Sequence, residues 1–102
     1  MTKLGDVAKY IRSKSAGPFW VTIDIFCEDA ASFDRIAGSP ALAPRAVARL
    51  FGVSENMIRQ YRLPSIHVFK ISFPRPHVQG SPGDADSHAG QYFVPLLSVD
   101  LD

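Results

Sequence analysis

The fold is decided by the stretch Phe19-Trp20-Val21-Thr22-Ile23-Asp24-Ile25-Phe26-Cys27. Its β-branched and aromatic residues predict a strand, because such side chains suit a pleated, half-buried surface. Alternation gives this strand two faces, of which the first is assigned to the core. The first face carries Phe19, Val21, Ile23, Ile25 and Cys27, and the second carries Trp20, Thr22, Asp24 and Phe26. The second face is apolar enough that another part of the chain or a partner should cover it.

Two helices are predicted directly after this strand. Asp29 is placed to cap the first helix, which the sequence Gly38-Ser39-Pro40 stops. Pro44 suits the first position of the second helix, and Gly52 suits a left-handed residue at its end. The apolar positions that should be buried are Ala30, Phe33, Ile36 and Ala37 in the first helix and Val47, Leu50 and Phe51 in the second.

A β-hairpin and a final strand follow the helices. Residues 58–63 and 66–73 are β-like runs separated by Pro64-Ser65, a turn-forming pair. Residues 92–101 predict the last strand, which Pro95 confines to a sheet edge or a bulge. In the second run, Phe69, Ile71 and Phe73 should face the core, Lys70 and Ser72 should face away, and His67 should be a partly buried structural histidine.

This order of elements predicts an α+β fold. A strand, two helices, a hairpin and a last strand indicate a ferredoxin-like sandwich, with a largely antiparallel sheet and the helices packed on one face. The length of 102 residues and the apolar content of 46% suit a single domain over residues 1–102 with one core.

The composition limits the partners and the location. Eleven Lys and Arg against ten Asp and Glu give a net charge of +1, so neither nucleic acid nor a membrane surface is predicted as a partner. The lone Cys27 cannot form an internal disulfide and indicates a reducing compartment. Charges stand where a signal peptide needs its apolar region, and no apolar run approaches the roughly 20 residues of a membrane span. The predicted location is cytoplasmic.

The N-terminal segment contains a first candidate for an anion site. Residues 4–12 fit either a helix or a strand, and a turn is predicted over residues 12–18 because of the Gly17-Pro18 step. Two cations, two hydroxyls and a glycine within this turn could bind an anion, although composition alone favours a solvated turn. These residues are Arg12, Ser13, Lys14, Ser15 and Gly17.

The stretch 73–91 is a long loop between two β-like runs, and loops of this length in a compact domain tend to be functional or disordered. Residues 80–84 could expose backbone N–H groups to an anion while Arg75 acts as a bidentate clamp. The alternative is a rigid loop in which Asp84 bonds to its own backbone. The first reading selects Gly80, Ser81 and Gly83 beside Arg75.

The same loop contains the candidate acids and bases. Asp84, Asp86 and His88 alternate along the chain, but a calcium loop would need glycine where Ala89 stands. These three residues and His77 could instead bind a transition metal, but ordinary loops contain the same residue types. No metal and no cofactor are assigned.

Several segments together resemble a small family catalogued as a domain of unknown function, which is associated with the acyclic terpene utilisation protein A (AtuA) family. They are Leu4-Gly5-Asp6-Val7-Ala8, Arg12-Ser13-Lys14-Ser15-Ala16-Gly17-Pro18-Phe19, Arg75-Pro76, Gly80-Ser81-Pro82-Gly83-Asp84 with Asp86, and Gln91 with Pro95-Leu96-Leu97. The resemblance covers nearly the whole chain. It implies a ferredoxin-like fold, similar to the C-terminal domain of the large AtuA proteins, in which residues 12–18 and 75–91 converge at one end of the sheet. After Asp86 the sequence Ser87-His88-Ala89-Gly90-Gln91 departs from the family pattern.

The resemblance implies two functions of different classes. In the first, the protein is a small companion subunit of a heteromeric enzyme, such as a hydro-lyase or hydratase, that acts on an organic acid or an acyl-CoA thioester. Arg12, Lys14 and Arg75 would then bind the anionic part, with Asp84, Asp86 or His88 as acid, base or metal ligand. In the second, it is a binding or scaffolding module that docks a large AtuA-like partner. A homo-oligomer is left open. The complete predicted anion site is Arg12, Ser13, Lys14, Ser15, Gly17, Arg75, Gly80, Ser81, Gly83 and Gln91.

Overall fold

The computed structural model describes residues 2–75 and 92–101, and all structural statements concern these ranges. The helices are α1 (Leu4–Val7), α2 (Ala30–Ala37) and α3 (Pro44–Phe51), and the strands are β1 (Tyr10–Ser15), β2 (Trp20–Phe26), β3 (Arg59–Leu63) and β4 (Val68–Pro74). Short 3-10 helices cover Pro40–Leu42, Glu55–Met57, Pro64–Ile66 and Val94–Ser98. The longest helices have eight residues, and none within the described ranges has the length and apolar character that crossing a bilayer requires.

The four strands form one sheet in the order β1-β2-β4-β3, and every neighbouring pair is antiparallel. β2 and β3 therefore run parallel to each other with β4 between them, and α2 and α3 form the connection. A helical crossover between parallel strands separated by an antiparallel strand is the split β-α-β arrangement. The predicted α+β sandwich of the ferredoxin-like class is confirmed.

The core lies between the sheet and the helices. Val21, Ile23 and Ile25 of β2 are fully buried there, as are the three predicted core residues of β4. The ring of Phe51 at the end of α3 stacks on Phe73 with centroids 4.5 Å apart. From β3, Gln60 Nε2 donates to the carbonyl oxygen of Leu42 at 2.6 Å, and Arg62 Nη2 donates to that of Ala37 at 2.8 Å. Hydrophobic contact and hydrogen bonds to carbonyls at helix ends together hold the helices on one face.

The helix boundaries follow the predicted signals. Asp29 Oδ1 accepts a hydrogen bond of 2.8 Å from the backbone N–H of Ser32, which satisfies one of the free donors of the first turn of α2. Pro44 occupies the first turn of α3, and Gly52 ends α3 with a φ of 69°. A left-handed φ costs glycine little, because it has no Cβ.

Two predictions near the N-terminus need correction. The segment 4–12 is neither one helix nor one strand, since α1 and the start of β1 share it. The chain turns at Gly17-Pro18 as predicted, but the predicted turn over residues 12–18 begins too early, because β1 continues to Ser15, which pairs with Val21. The connection to β2 is closed by the backbone N–H of Ala16, which donates to Trp20 at 2.8 Å, and Gly17 has a φ of 80°.

The predicted last strand, 92–101, is also wrong. Residues Val94–Ser98 form a 3-10 helix, and only the isolated bridge between Lys3 and Asp100 is β-like. Pro95 lies in the first turn of this helix, where its missing N–H is not needed. The segment is fixed to the N-terminus instead of the sheet, since the backbone N–H of Leu4 donates to Val99 and that of Leu101 donates to Thr2, both at 2.8 Å.

Three residues that were expected to be buried are exposed, and the first of them is Ala30 at the start of α2. Phe19 precedes β2 and is 60% exposed, because it belongs to the connection between β1 and β2 and lies outside the covered part of the sheet. Leu50 of α3 is 40% exposed, while Val47 and Ala48 are the buried residues of that helix. His67 is partly buried as predicted, but it ends the hairpin turn with a φ of 53° instead of continuing the strand.

Candidate functional site

Strand β1 divides the predicted anion-binding residues between two faces of the sheet. Ile11, Ser13 and Ser15 point toward the helices, while Arg12 and Lys14 point to the opposite side, as the burial alternation of the strand shows. The five residues of the predicted turn therefore do not converge on one ligand, and Gly17 lies in the turn beyond the strand.

The helix side of this sheet end holds a compact polar cluster around Arg75. The backbone N–H of Arg75 donates to Phe19 at 2.8 Å, and Nη1 of its side chain donates to Ser15 Oγ at 2.8 Å. Its guanidinium carbon lies 5.3 Å from the centre of the Tyr92 ring, and the residue is only 7% exposed. Ser13 Oγ accepts from the backbone N–H of Phe93 at 3.2 Å. We call Ser13, Ser15, Arg75 and Tyr92 the Arg75 cluster.

The structure thus brings three of the predicted residues together and separates two others from them. Ser13, Ser15 and Arg75 share one side of the sheet although 60 positions separate the last two. Arg12 and Lys14 lie across the sheet from this cluster. The sequence pattern did not separate them, because a turn was predicted where the chain forms a strand with alternating faces.

The sheet face that points away from α2 and α3 is the second candidate. We call it the outer face. Its polar and aromatic residues are Tyr10, Arg12 and Lys14 of β1, Trp20, Thr22, Asp24 and Phe26 of β2, Lys70 and Ser72 of β4, and Arg59 and Tyr61 of β3. Tyr10 is 51% and Tyr61 is 48% exposed. The second face of β2 was predicted to need a cover, and long side chains from the neighbouring strands cover part of it.

Aromatic and cationic side chains stack over the outer face. The Tyr10 ring lies parallel to Phe26, with centroids 4.3 Å apart and an interplanar angle of 13°. The guanidinium of Arg12 lies 5.4 Å from the centre of the Phe26 ring, and that of Arg59 lies 5.1 Å from the centre of Trp20. Cation–π contacts of this kind are worth about 0.5–1 kcal/mol at exposed sites. They hold the arginine side chains against the sheet.

A buried carboxylate stands at the centre of the outer face. Asp24 is 4% exposed, and its Oδ2 accepts a hydrogen bond of 3.2 Å from Arg12 Nη2. Lys70 Nζ lies 3.8 Å from Oδ1, which is an ion-pair distance but too long for a hydrogen bond, and among the described residues Oδ1 has no hydrogen-bond partner. Beside it, Thr22 Oγ1 and Ser72 Oγ lie 3.4 Å apart. Asp24 therefore positions two cations on the surface.

A family model described as Domain of unknown function (DUF4387) matches residues 4–100. The chain belongs to this family. No curated protein and no solved structure shows significant similarity to the chain. The match contains no link to the AtuA family, so that association remains a prediction.

Among the described residues of this DUF4387 protein, two titratable groups have clearly shifted pKa values, and neither belongs to the two candidate sites. Burial, with a smaller contribution from the charge of Asp29, raises the pKa of the Cys27 thiol. The backbone and side chain of Ser32 and, more weakly, the charge of His67 lower the pKa of Asp29. A raised thiol pKa disfavours the thiolate, and Cys27 is buried in the hydrophobic core.

Several predicted site residues of the DUF4387 chain lie outside the described residues. They are Gly80, Ser81, Gly83, Asp84, Asp86, His88 and Gln91, together with His77 of the alternative metal reading. Their assigned roles stay predictions. Within residues 2–75 and 92–101, no group of three or more His, Cys, Asp and Glu side chains could hold a metal ion.

Sequence reasoning missed the outer face as a candidate site. Its residues come from all four strands, and Tyr10, Arg59 and Tyr61 were not singled out at all. The available signal was the alternation that places Lys70 and Ser72 away from the core. Extending that alternation to Arg59 and Tyr61 in the preceding strand would have placed the four residues from β3 and β4 on one face.

Proposed function

We propose that this DUF4387 protein is a companion subunit that docks a larger protein through the outer face of its sheet. The observation that carries the proposal is the gathering of Tyr10, Trp20 and Tyr61 with Arg12 and Arg59 on one face that the helices do not cover. Tyr, Trp and Arg are the residue types enriched at protein interfaces, and they dominate the binding energy there.

The stacking on this face supports docking because it lowers the cost of binding. Immobilising a long side chain in an interface costs about 0.5–1.5 kcal/mol. Arg12 is already held by Asp24 and the Phe26 ring, and Arg59 is already held by Trp20. These side chains therefore lose less freedom when a partner arrives than unrestrained arginines would.

The resemblance described above supplies the candidate partner and setting. The partner would be the large AtuA-like protein, and the assembly would be an enzyme that acts on an organic acid or an acyl-CoA thioester, in the manner of a hydro-lyase. The chemistry would then belong to the large subunit or to a site that both subunits complete.

Truncation of Tyr61 tests the docking face. Tyr61→Ala removes a half-exposed ring from the outer face, so folding should be unaffected while binding weakens. We expect a loss of affinity for the co-expressed AtuA-like protein of roughly 30-fold, since an interface hot spot contributes about 2 kcal/mol or more. Isothermal titration calorimetry measures this loss.

The matched control is Leu50→Ala. Leu50 is exposed to a similar degree but lies on α3, on the other side of the sheet. Affinity should stay at the level of the wild-type protein. Equal losses for the two variants, or no loss for Tyr61→Ala, would show that the partner does not dock on the outer face.

The Arg75 cluster favours a second candidate function, the binding of an anionic substrate group within the assembled enzyme. Among the described residues, Arg75 is the only Lys or Arg that is buried, and the hydroxyls of Ser13 and Ser15 lie on the same side of the sheet. The planar fork of a guanidinium matches the geometry of a carboxylate. Because the cluster and the outer face lie on opposite sides of the sheet, the two functions are compatible.

Arg75→Lys tests this second function while keeping the charge. Lysine cannot reproduce the planar fork, so we expect turnover of organic acids or acyl-CoA thioesters by the reconstituted complex to fall at least about tenfold with assembly intact. Arg49→Lys on α3 is the control and should keep full turnover. If Arg75→Lys loses assembly instead, the cluster has a structural role; unchanged turnover excludes a role in substrate binding.

A further inference from the structure

The fold separates the charges of the chain. The outward positions of the four strands carry the cations Arg12, Lys14, Arg59 and Lys70 and the single carboxylate Asp24, a net charge of +3. The rest of the chain holds seven Lys and Arg against nine Asp and Glu, a net charge of −2. The overall charge of +1 therefore conceals a positive sheet face.

The cations of this face remain available at the surface. The side chain of Arg12 is 55% exposed despite its ion pair with Asp24, and that of Lys70 is 37% exposed. Lys14 and Arg59 are exposed as well. One buried carboxylate between Arg12 and Lys70 cannot neutralise both, so the surface that a partner meets is cationic with aromatic rings between the charges.

We propose that the surface docked on the outer face is an acidic protein surface. This inference rests on the proposed docking function and adds the chemistry of the partner. Complementary charge across an interface raises the association rate and excludes wrong partners. Carboxylates of the partner would pair with Lys14 and Arg59, while its apolar groups would contact Tyr10 and Tyr61.

A second copy of the chain fits this face poorly. A two-fold symmetric interface brings the same patch of both subunits together. Two outer faces would oppose one net charge of +3 with another, and like charges facing each other across an interface disfavour association. A homo-oligomer, which the sequence leaves open, would therefore have to form through another surface.

Nucleic acid is also a poorer fit than an acidic protein. Single strands bind to open aromatic faces on which bases stack. Here Tyr10 covers Phe26, and Arg59 covers Trp20. The pI of about 7.9 also lies below the value above 9 that is typical of nucleic-acid-binding domains.

Trp20 gives a direct readout of the outer face, since it is the only tryptophan of the chain. A short poly-L-glutamate peptide is the probe, and an oligouridine RNA of equal charge is the comparison. We expect the peptide to change the Trp20 fluorescence, to bind more tightly than the RNA, and to lose affinity at least about tenfold between low and physiological salt. No change of Trp20 fluorescence, or tighter binding of the RNA, would overturn the inference.

Charge reversal locates the binding. Lys14→Glu and Arg49→Glu change the net charge equally, but Lys14 lies on the outer face and Arg49 on α3. Measured by anisotropy of the labelled peptide, Lys14→Glu should weaken binding about tenfold and Arg49→Glu less than about twofold. Equal weakening contradicts a site on the outer face, and self-association of the wild-type chain through this face would favour a second copy.

The same variants separate this inference from the docking proposal. If the AtuA-like protein loses affinity with Tyr61→Ala but binds Lys14→Glu and Arg49→Glu equally well, the docking face stands and its acidic partner chemistry is wrong. If Lys14→Glu alone weakens both the peptide and the protein partner, both statements are supported. If neither Tyr61→Ala nor Lys14→Glu weakens binding of the peptide or of the protein partner, both the docking proposal and the acidic partner are contradicted.

Discussion

Replacing Phe73 with alanine is expected to destabilise this DUF4387 protein more than any substitution on its surface. Phe73 of β4 is fully buried and pairs across the sheet with Val21. Its ring stacks on that of Phe51 in α3, with centroids 4.5 Å apart. Truncating a buried phenylalanine costs about 3–5 kcal/mol, because transfer energy is lost and a cavity remains. For a domain whose total stability is roughly 5–15 kcal/mol, this is a large share.

Thermal denaturation followed by circular dichroism measures the effect. Each kcal/mol shifts the midpoint of a domain of this size by about 4–8 °C, so the Phe73→Ala midpoint should fall by at least about 12 °C. Phe19→Ala is the matched control, since Phe19 is 60% exposed at the connection between β1 and β2. It should change stability by less than about 0.5 kcal/mol. Similar costs at both positions would mean that Phe19 belongs to the core, as the alternation of its strand predicted.

Replacing Leu96 with alanine should produce the second largest loss. Leu96 is fully buried in the 3-10 helix near the C-terminus, and this helix packs against α1. The chain on either side is fixed by the backbone hydrogen bonds of Leu4 to Val99 and of Leu101 to Thr2. A buried leucine truncated to alanine costs about 2–5 kcal/mol. Urea denaturation measures this loss, and we expect a lower midpoint concentration of urea with an unchanged dependence of the unfolding free energy on urea concentration.

The neighbouring residue supplies the control. Leu97 is 39% exposed, so Leu97→Ala should cost less than about 1 kcal/mol. A cost at Leu97 that equals or exceeds the cost at Leu96 would contradict the packing of the C-terminal segment. Because this segment was expected to be a strand, the pair of variants also tests the correction of that prediction.

The two candidate surfaces can be tested independently because the sheet lies between them. The Arg75 cluster points toward the helices, and the outer face points away from them. A partner docked on the outer face would not contact the Arg75 cluster. Variants at Tyr61 and Arg75 should therefore separate assembly from turnover if both proposals hold.

Local signals were enough to predict most of the elements. Asp29, Pro44 and Gly52 mark helix ends through the chemistry of their own side chains or backbone, and the structure uses all three as expected. The hairpin around Pro64 and the buried face of β4 follow from turn propensity and strict alternation. Failure came at residues 92–101, where an apolar run resembles a strand but packs as a 3-10 helix against the N-terminus.

The site was predictable only in fragments. Ser13 and Ser15 are predicted as hydroxyls of an anion-binding turn and Arg75 as an anion clamp, and the fold brings them together. Arg12 and Lys14 are predicted as cations of the same turn, yet the extension of β1 to Ser15 turns them to the opposite face. One misplaced boundary between strand and turn was enough to divide the set, because side chains alternate faces with every residue in a strand.

By itself, the sequence determined the α+β class, the capped helices, the hairpin and the buried face of the central strands. These features depend on propensities and periodicities that operate within a few residues of each other. Only the tertiary structure decided that four cations from three strands share one surface while the remaining chain is net negative. Strand order and register determine which distant side chains become neighbours, and a near-zero net charge contains no information about where the charges lie.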